Sequence, residues 1–437
     1  MQSIAEGMER HERHNHNWKA DFCHQSIIMK ATIIGGNYIG KGAEAMMDVV
    51  VVELRKRIPG IHFTVMLHGD SRKELPPRAF EYERVNDLEF RAVRPRTIND
   101  WLFLPLTKPL CLSFRYYKHF YDCIKDSDAL LDIRGFVFIP DEGIRGANGI
   151  GYYIQSVLAK HRKVKHIILP QVMGPIEGRG LRWLALNSLK KASLIAARDP
   201  KTKQVLEDLG VSQFRPVELF PDIAFLVQSA GRERCHELLR MLNLQEKQYI
   251  ALTPNLRIHE RSNTADGSNS YLEALLGTIT FIRTRLNMDV LLIPHEHSTT
   301  RRDDSWLINL LLEKLNDHAR ITTWGSGASA AEVKAVIGAA YAVVGSRYHS
   351  LIASLSMGVP SVATSWSHKY EELMGLLGVH EYCIGKEDIT EKDICDRLMA
   401  LQRNYPELQQ TITSRAKQLD CQIGQLFDKV ADVIKNT

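Results

Sequence analysis

The chain reads as an α/β protein made of two Rossmann-like halves facing one another across a cleft. Three observations carry that reading. Short apolar runs alternate with amphipathic helical stretches from residue 27 to residue 384. A polar helix and turn, residues 230–247, divides the alternation into two series and reads as a hinge. The length of 437 residues suits two domains better than one. Strands separated by helices cross over between neighbours, so each half should be a parallel sheet with helices on both faces.

In the first series, residues 27–34 form strand one and residues 43–57 the helix behind it. Residues 62–67, 129–133 and 164–169 follow as strands, and 194–197 and 216–219 are short later ones. The second series repeats the pattern at 249–253, 290–293, 321–323, 342–344, 361–363 and 382–384. The last segment carries Leu408, Ile412, Leu419, Ile423, Leu426, Val430 and Val433. These share one helical face, which predicts a long C-terminal helix with Pro406 near its start. The division is therefore a polar tail over 1–25, one half over 26–240, a second over 248–385 and a helical segment over 386–437.

Two segments stand outside the scheme. Residues 91–120 set Arg91, Arg94 and Arg96 ahead of WLFLPLTKPLCLSF. Such a cluster could dock on an anionic bilayer; the favoured reading is a buried insertion covering the first half. Residues 258–270, IHERSNTADGSNS, form a polar loop at a strand end, either a binding loop or a solvated insertion.

Composition narrows the functional class. Basic residues number 56 against 51 acidic, a net charge of +5. That suits an acidic small substrate or an anionic surface and is too mild to argue for nucleic acid. The seven cysteines are scattered and form no CxxC pair, which favours a reducing compartment and no structural zinc. The first 25 residues lack the apolar core of a signal peptide, and no apolar run reaches the roughly 18 residues of a membrane span. The expected location is the cytoplasm, with the inner membrane face as the place where the basic segment would dock.

The chemistry concentrates in AVVGSRYHSLIASLSMGVPSVATSWSHKY, residues 342–370. A strand ends at Gly345, a turn carries Ser346, Arg347 and His349, and a helix stops at Gly358. Free N–H groups and the dipole at that helix start favour an anion. Lys369 arrives from the next loop on the same sheet edge, where α/β proteins bind ligands. Three converging cations describe a site for a small, doubly charged molecule. Solvated surface cations and a structural histidine would give the same spacing.

The pattern Gly345-Ser346-Arg347-x-His349, Gly358-x-Pro360 and Lys369 resembles the C-terminal signature of the polysaccharide pyruvyl transferase family. Other stations follow in order: Gly35-Gly36-Asn37 after the first strand, Ala197-Arg198-Asp199, Pro221-Asp222-Ile223-Ala224-Phe225, Leu256-Arg257 and Pro294-His295. The resemblance spans about residues 28–385 and implies a glycosyltransferase-B-like fold. It implies transfer of pyruvate from phosphoenolpyruvate to two hydroxyls of one sugar in a cell-surface polysaccharide or its lipid-linked precursor. The product would be a cyclic ketal and phosphate. The C-terminal half becomes the donor side and the N-terminal half the acceptor side, with phosphoenolpyruvate as substrate and no cofactor.

That chemistry needs cation clamps for phosphate and carboxylate, and an acid/base working near neutrality. Arg347 and Lys369 would hold the donor, with Ser346 in the same turn, and His349 is the acid/base candidate. Arg257 and Arg198 come from strand ends in the two halves; Arg198 could instead pair with Asp199. Asp222 could activate an acceptor hydroxyl or serve as a helix cap. Asn37 and His295 complete the expected lining. His295, Glu296 and His297 could bind a metal, but no fourth ligand with suitable spacing follows. No metal ligand is therefore assigned. Asp126-Ser127-Asp128 precedes its strand and reads as a turn, and neither GxGxxG nor a Walker A motif occurs. The chain departs from the family at Arg134-Gly135-Phe136, where many members carry a glycine run, and at Tyr38-Ile39-Gly40-Lys41. Two other readings compete: a nucleotide-sugar glycosyltransferase or epimerase of the same fold, and a sugar-binding relative without catalysis.

Overall fold

A computed structural model describes residues 28–436 other than 39, 69–78, 80–82, 84–87, 94–114, 139–146, 264–266, 297–301, 326 and 386–388. The tail, Arg94, Arg96, the apolar run after them and His297 lie outside the described residues.

The first sheet contains β1 (Lys30–Ile34), β2 (His62–His68), β3 (Leu88–Val93), β4 (Ala129–Asp132), β5 (Phe136–Val137), β6 (Lys165–Met173), β7 (Leu194–Ala197) and β8 (Val217–Leu219). Its order is β3-β2-β1-β4-β6-β7-β8, with β5 beside β6. The second contains β9 (Tyr249–Thr253), β10 (Asp289–Leu292), β11 (Ile321–Thr323), β12 (Ala342–Gly345), β13 (Ser361–Thr364) and β14 (Cys383–Ile384), ordered β11-β10-β9-β12-β13-β14. Every pairing between these strands is parallel. The central strands β1, β4, β9, β12 and β13 are buried almost throughout, as continuous apolar runs covered on both faces must be.

β7, β9 and β11 match the expected residues, and most other strands shift by one to four residues at an end. β3 and β5 were not expected. In β3 the exposed Glu89 and Arg91 pair with each other at 2.6 Å along the sheet edge, so half of the strand is polar. β5, two residues long, carries no periodic signal. Arg91, read as part of a basic insertion, thus belongs to a sheet, and the Arg115–Ile124 helix that follows buries Tyr116, Tyr117 and Phe120.

The segment expected as a hinge holds the Arg232–Met241 helix, whose Leu238 and Leu239 are buried with Tyr249, Val336 and Ile337 of the second half. The C-terminal helix, Tyr405–Lys435, runs back to the first half. Its Ile423, Phe427, Val430 and Ile434 join the core that also holds Ile33 of β1 and Leu252 of β9. Arg57 clips its outer face through Asp428 at 2.6 Å. Among the described residues, no helix is long and apolar enough to cross a membrane.

Candidate active site

The C-terminal ends of β1, β4 and β7 approach those of β9, β12 and β13, so their loops meet between the sheets, the usual ligand edge of open α/β folds. From the first half, Arg198 follows β7 and Asp222 precedes a short helix, Ile223–Leu226. From the second come Arg347 and His349 after β12, and Lys369 after β13.

Arg198 and Asp222 are buried at 6% and 2% exposure and form an ion pair at 2.8 Å. Asp222 Oδ2 lies 3.6 Å from His349 Nε2, across the interface. Its Oδ1 accepts from Ala224 N–H at 2.9 Å. The expected alternatives therefore coexist: Asp222 caps a helix and also joins the charged array. Burial would raise its pKa, but His349, Arg198 and the Ala224 N–H outweigh burial and hold the carboxyl well below its ordinary range. Asp199 does not pair with Arg198; its Oδ1 caps the Pro200–Asp208 helix through Thr202 N–H at 2.6 Å.

His349 fits because residue 42 is glycine. A Cβ at Gly42 would lie 2.1 Å from His349 Nδ1. The first turn of the Lys41–Arg57 helix thus forms a wall of the imidazole pocket. His295, 6% exposed, lies close to this group. Burial, then the nearby charges of His349, Arg347 and Lys41, hold its pKa well below the ordinary value, so its ring is neutral. Its carbonyl accepts from Lys41 N–H at 3.2 Å, which sets the start of that helix against the second half. Asn37 closes the turn ahead of it, accepting from Gly40 N–H at 3.2 Å.

Arg347 is held by two carboxylates, Glu296 at 2.8 Å and Asp304, while its Nε is buried without a partner among the described residues. Asp304 is a hub, accepting also from the N–H groups of Leu256, His295 and Glu296. Ser346 knits the strand ends: its hydroxyl bonds Tyr271 at 2.6 Å and Thr364 at 2.5 Å, and its carbonyl accepts from Asn255 and Tyr370. Arg257 instead lies on the Leu256–Arg261 helix, half-exposed and paired with Glu260 at 2.9 Å. Among the described residues it makes no ion pair with the other candidates.

Lys369 differs from the arginines. Among the described residues it has no carboxylate partner; its Nζ stands 4.8 Å from the Trp366 ring, 5.4 Å from Tyr348 and 5.7 Å from Tyr370. Arg198 lies over the same Tyr348 ring at 4.8 Å. Burial first, then Arg198 and Arg347, push the Lys369 ammonium down to about 7. The helices starting at Tyr348 and Lys369 have no side-chain cap, so two positive dipole ends point into the group. The group is electropositive, and among the described residues Lys369 is its cation without a carboxylate partner.

Sequence reasoning missed Asp304, Tyr348 and Trp366, and weighed Glu296 only as a metal ligand, not as the partner of Arg347. Only Asp304 left a trace, as the second aspartate of a pair opening a helix. On the other side, Arg134 is held by Asp132 at 2.6 Å and lies over Tyr152 at 4.5 Å. Gly35 makes room for it: at φ 97°, its Cβ would meet the Arg134 backbone nitrogen at 2.5 Å. Asp128 accepts from Lys30 N–H at 2.8 Å in the turn before β4.

Two facing parallel sheets with a charged group between their strand ends define the glycosyltransferase-B class. The chain shares this fold with Anabaena HepE in complex with UDP and glucose, at TM-score 0.60, 10% identity and coverage of 94% of this chain and 100% of that one. It also shares it with the UDP-GlcNAc 2-epimerase of Methanocaldococcus jannaschii, at TM-score 0.56, 11% identity and coverage of 85% and 92%. The polysaccharide pyruvyl transferase family profile matches residues 83–368, and the chain belongs to that family. The amylovoran biosynthesis protein AmsJ of Erwinia amylovora is 22% identical over 325 residues, 74% of this chain and 76% of that protein.

Proposed function

We propose that this protein transfers the pyruvyl unit of phosphoenolpyruvate onto a hydroxyl pair of a saccharide in a cell-surface polysaccharide or its lipid-linked precursor, at the cytoplasmic face of the membrane. The observation that carries the reading is Lys369, uncommitted on an aromatic floor beside Arg198, Asp222 and His349 in a chain of this family. A small anion carrying phosphate and carboxylate would satisfy Lys369, the Arg347 Nε–H and the two uncapped helix starts together.

In this reading the enol phosphate of the donor takes a proton at its methylene carbon, leaving cationic character at the carbon that bears carboxylate and phosphate. One acceptor hydroxyl adds there and gives up its proton; the second displaces phosphate and closes the ketal. His349 is the proton donor, re-protonated from the acceptor hydroxyl. Asp222 orients the ring: 3.6 Å is too long for a hydrogen bond, and such contacts tighten when substrate binds. Arg198 keeps Asp222 ionised and adds positive potential at the donor. Arg347, neutralised by Glu296 and Asp304, positions the turn and offers one donor, whereas Lys369 supplies the net charge. Asn37, His295 and the Arg134 region face the acceptor.

The test is phosphate release from phosphoenolpyruvate over a panel of saccharides. Acceptors with two hydroxyls placed to close a five- or six-membered ketal should release one phosphate per ketal formed. No release with any such acceptor, alongside turnover of a nucleotide sugar, would overturn the reading in favour of a glycosyltransferase or epimerase.

A further inference from the structure

Beside the donor group lies a second cluster with different chemistry. Asp199 follows Arg198 in the first half, while His368 and Glu372 stand at the start of the Lys369–Leu376 helix in the second. One ligand-bearing atom from each lies within 4.8 Å of the other two. Among the described residues, the carboxylates are left partly unsatisfied. Asp199, 5% exposed, gives Oδ1 to the helix cap, but its Oδ2 is buried and has no hydrogen-bond partner. Glu372 Oε2 is likewise buried and unpartnered. Lys201 and Arg198 are close enough to bias Glu372, yet among the described residues neither forms an ion pair with it or with Asp199.

Two neighbouring buried carboxylate oxygens without a donor are disfavoured unless a proton or a cation comes between them. An imidazole beside two carboxylate oxygens is a nitrogen–oxygen donor set suited to zinc or manganese, and less to magnesium or calcium, which prefer oxygen alone. Bonds of about 2.0–2.2 Å would need the three donor atoms roughly 3–3.5 Å apart. His368, exposed, and Glu372, partly exposed, have the side-chain freedom to close that gap.

We propose that Asp199, His368 and Glu372 bind one divalent first-row transition cation that bridges the two halves next to the donor site. The cation would join the loop after β7 to the helix after β13, and so hold Arg198 and Lys369 at a constant separation. The proposal rests on the donor set alone and does not depend on what the neighbouring site transfers.

The full-length protein, stripped with chelator and dialysed, is titrated calorimetrically with zinc chloride and then with manganese chloride, and its thermal midpoint is followed with each. Residues 1–25 contain His11, His14, His16 and His24, which can take up zinc themselves, so the result is read as a difference between proteins. Wild type should show one more site than Glu372→Gln and His368→Ala, or bind at least about tenfold tighter at that site. Metal should raise the melting midpoint of wild type and leave both variants unmoved. Equal stoichiometry and affinity in all three proteins, or no midpoint shift in wild type, would overturn the proposal. Both substitutions lie at solvent-accessible positions, and circular dichroism confirms their folding independently of metal.

Discussion

Binding of phosphoenolpyruvate should draw a proton onto Lys369. The free ammonium, burdened by burial and by Arg198 and Arg347, titrates at about 7 instead of about 10.4. A dianion in contact raises such a group by roughly 1–3 units. At pH 7 the free amine is about half protonated and the bound one nearly fully so, an uptake of about 0.5 proton per site. At pH 8 the free amine is only about one-tenth protonated and uptake rises to about 0.8; near pH 5.5 it vanishes. The donor's second phosphate ionisation lies near 6, so at pH 8 it contributes almost nothing. Calorimetry at pH 8 in buffers of different ionisation enthalpy measures the uptake as the slope of apparent enthalpy. A slope below about 0.1 proton in wild type, or an equal slope in Lys369→Arg, refutes the argument. In the unliganded protein the same lowered pKa makes the folded chain bind fewer protons than the unfolded one between about 7 and 10.4. The Lys369 contribution to stability therefore rises with pH across that window and is flat on either side.

His349→Gln should lower turnover by about 10²–10⁴ while donor affinity, measured calorimetrically, stays within a few-fold; turnover near wild type would make His349 structural. Gly42→Ala should reproduce much of that loss and lower the melting midpoint, because the new methyl overlaps the imidazole ring and forces it aside; unchanged kinetics would show that the ring tolerates the shift. Arg347→Ala should act first on the fold, costing about 3–5 kcal/mol in denaturant unfolding because Asp304 and Glu296 lose their counter-charge inside. The double variant Arg347→Met/Glu296→Gln, which removes a carboxylate charge and spares the N–H bonds to Asp304, should recover part of that loss.

How much was legible depended on range. Strand positions could be read because a buried parallel strand must be an apolar run of fixed length, as in YIALT of β9 and AVVG of β12. The cations of the anion group could be read because they sit at strand ends. The edge strand β3 could not, since its outward residues are a solvated Glu89–Arg91 pair.

By itself, the sequence indicated the two-halved α/β architecture, the membership signalled by its ordered motifs, and a set of strand-end candidates, Arg198, Asp222, Arg257, Arg347, His349 and Lys369, of which Arg257 lies half-exposed on a helix with Glu260. Tertiary structure alone decided which of them is spoken for. Arg347 and Arg198 look equivalent to Lys369 as bare cations, yet the first meets Glu296 and Asp304 and the second meets Asp222. Among the described residues Lys369 meets aromatic rings and no carboxylate within ion-pair distance. The same holds for Asp199, His368 and Glu372, whose donor atoms converge although 173 residues of chain separate the first from the last. The physical reason is that a side chain's free charge depends on the partners that surround it, and those partners are brought by long-range packing that no local pattern encodes.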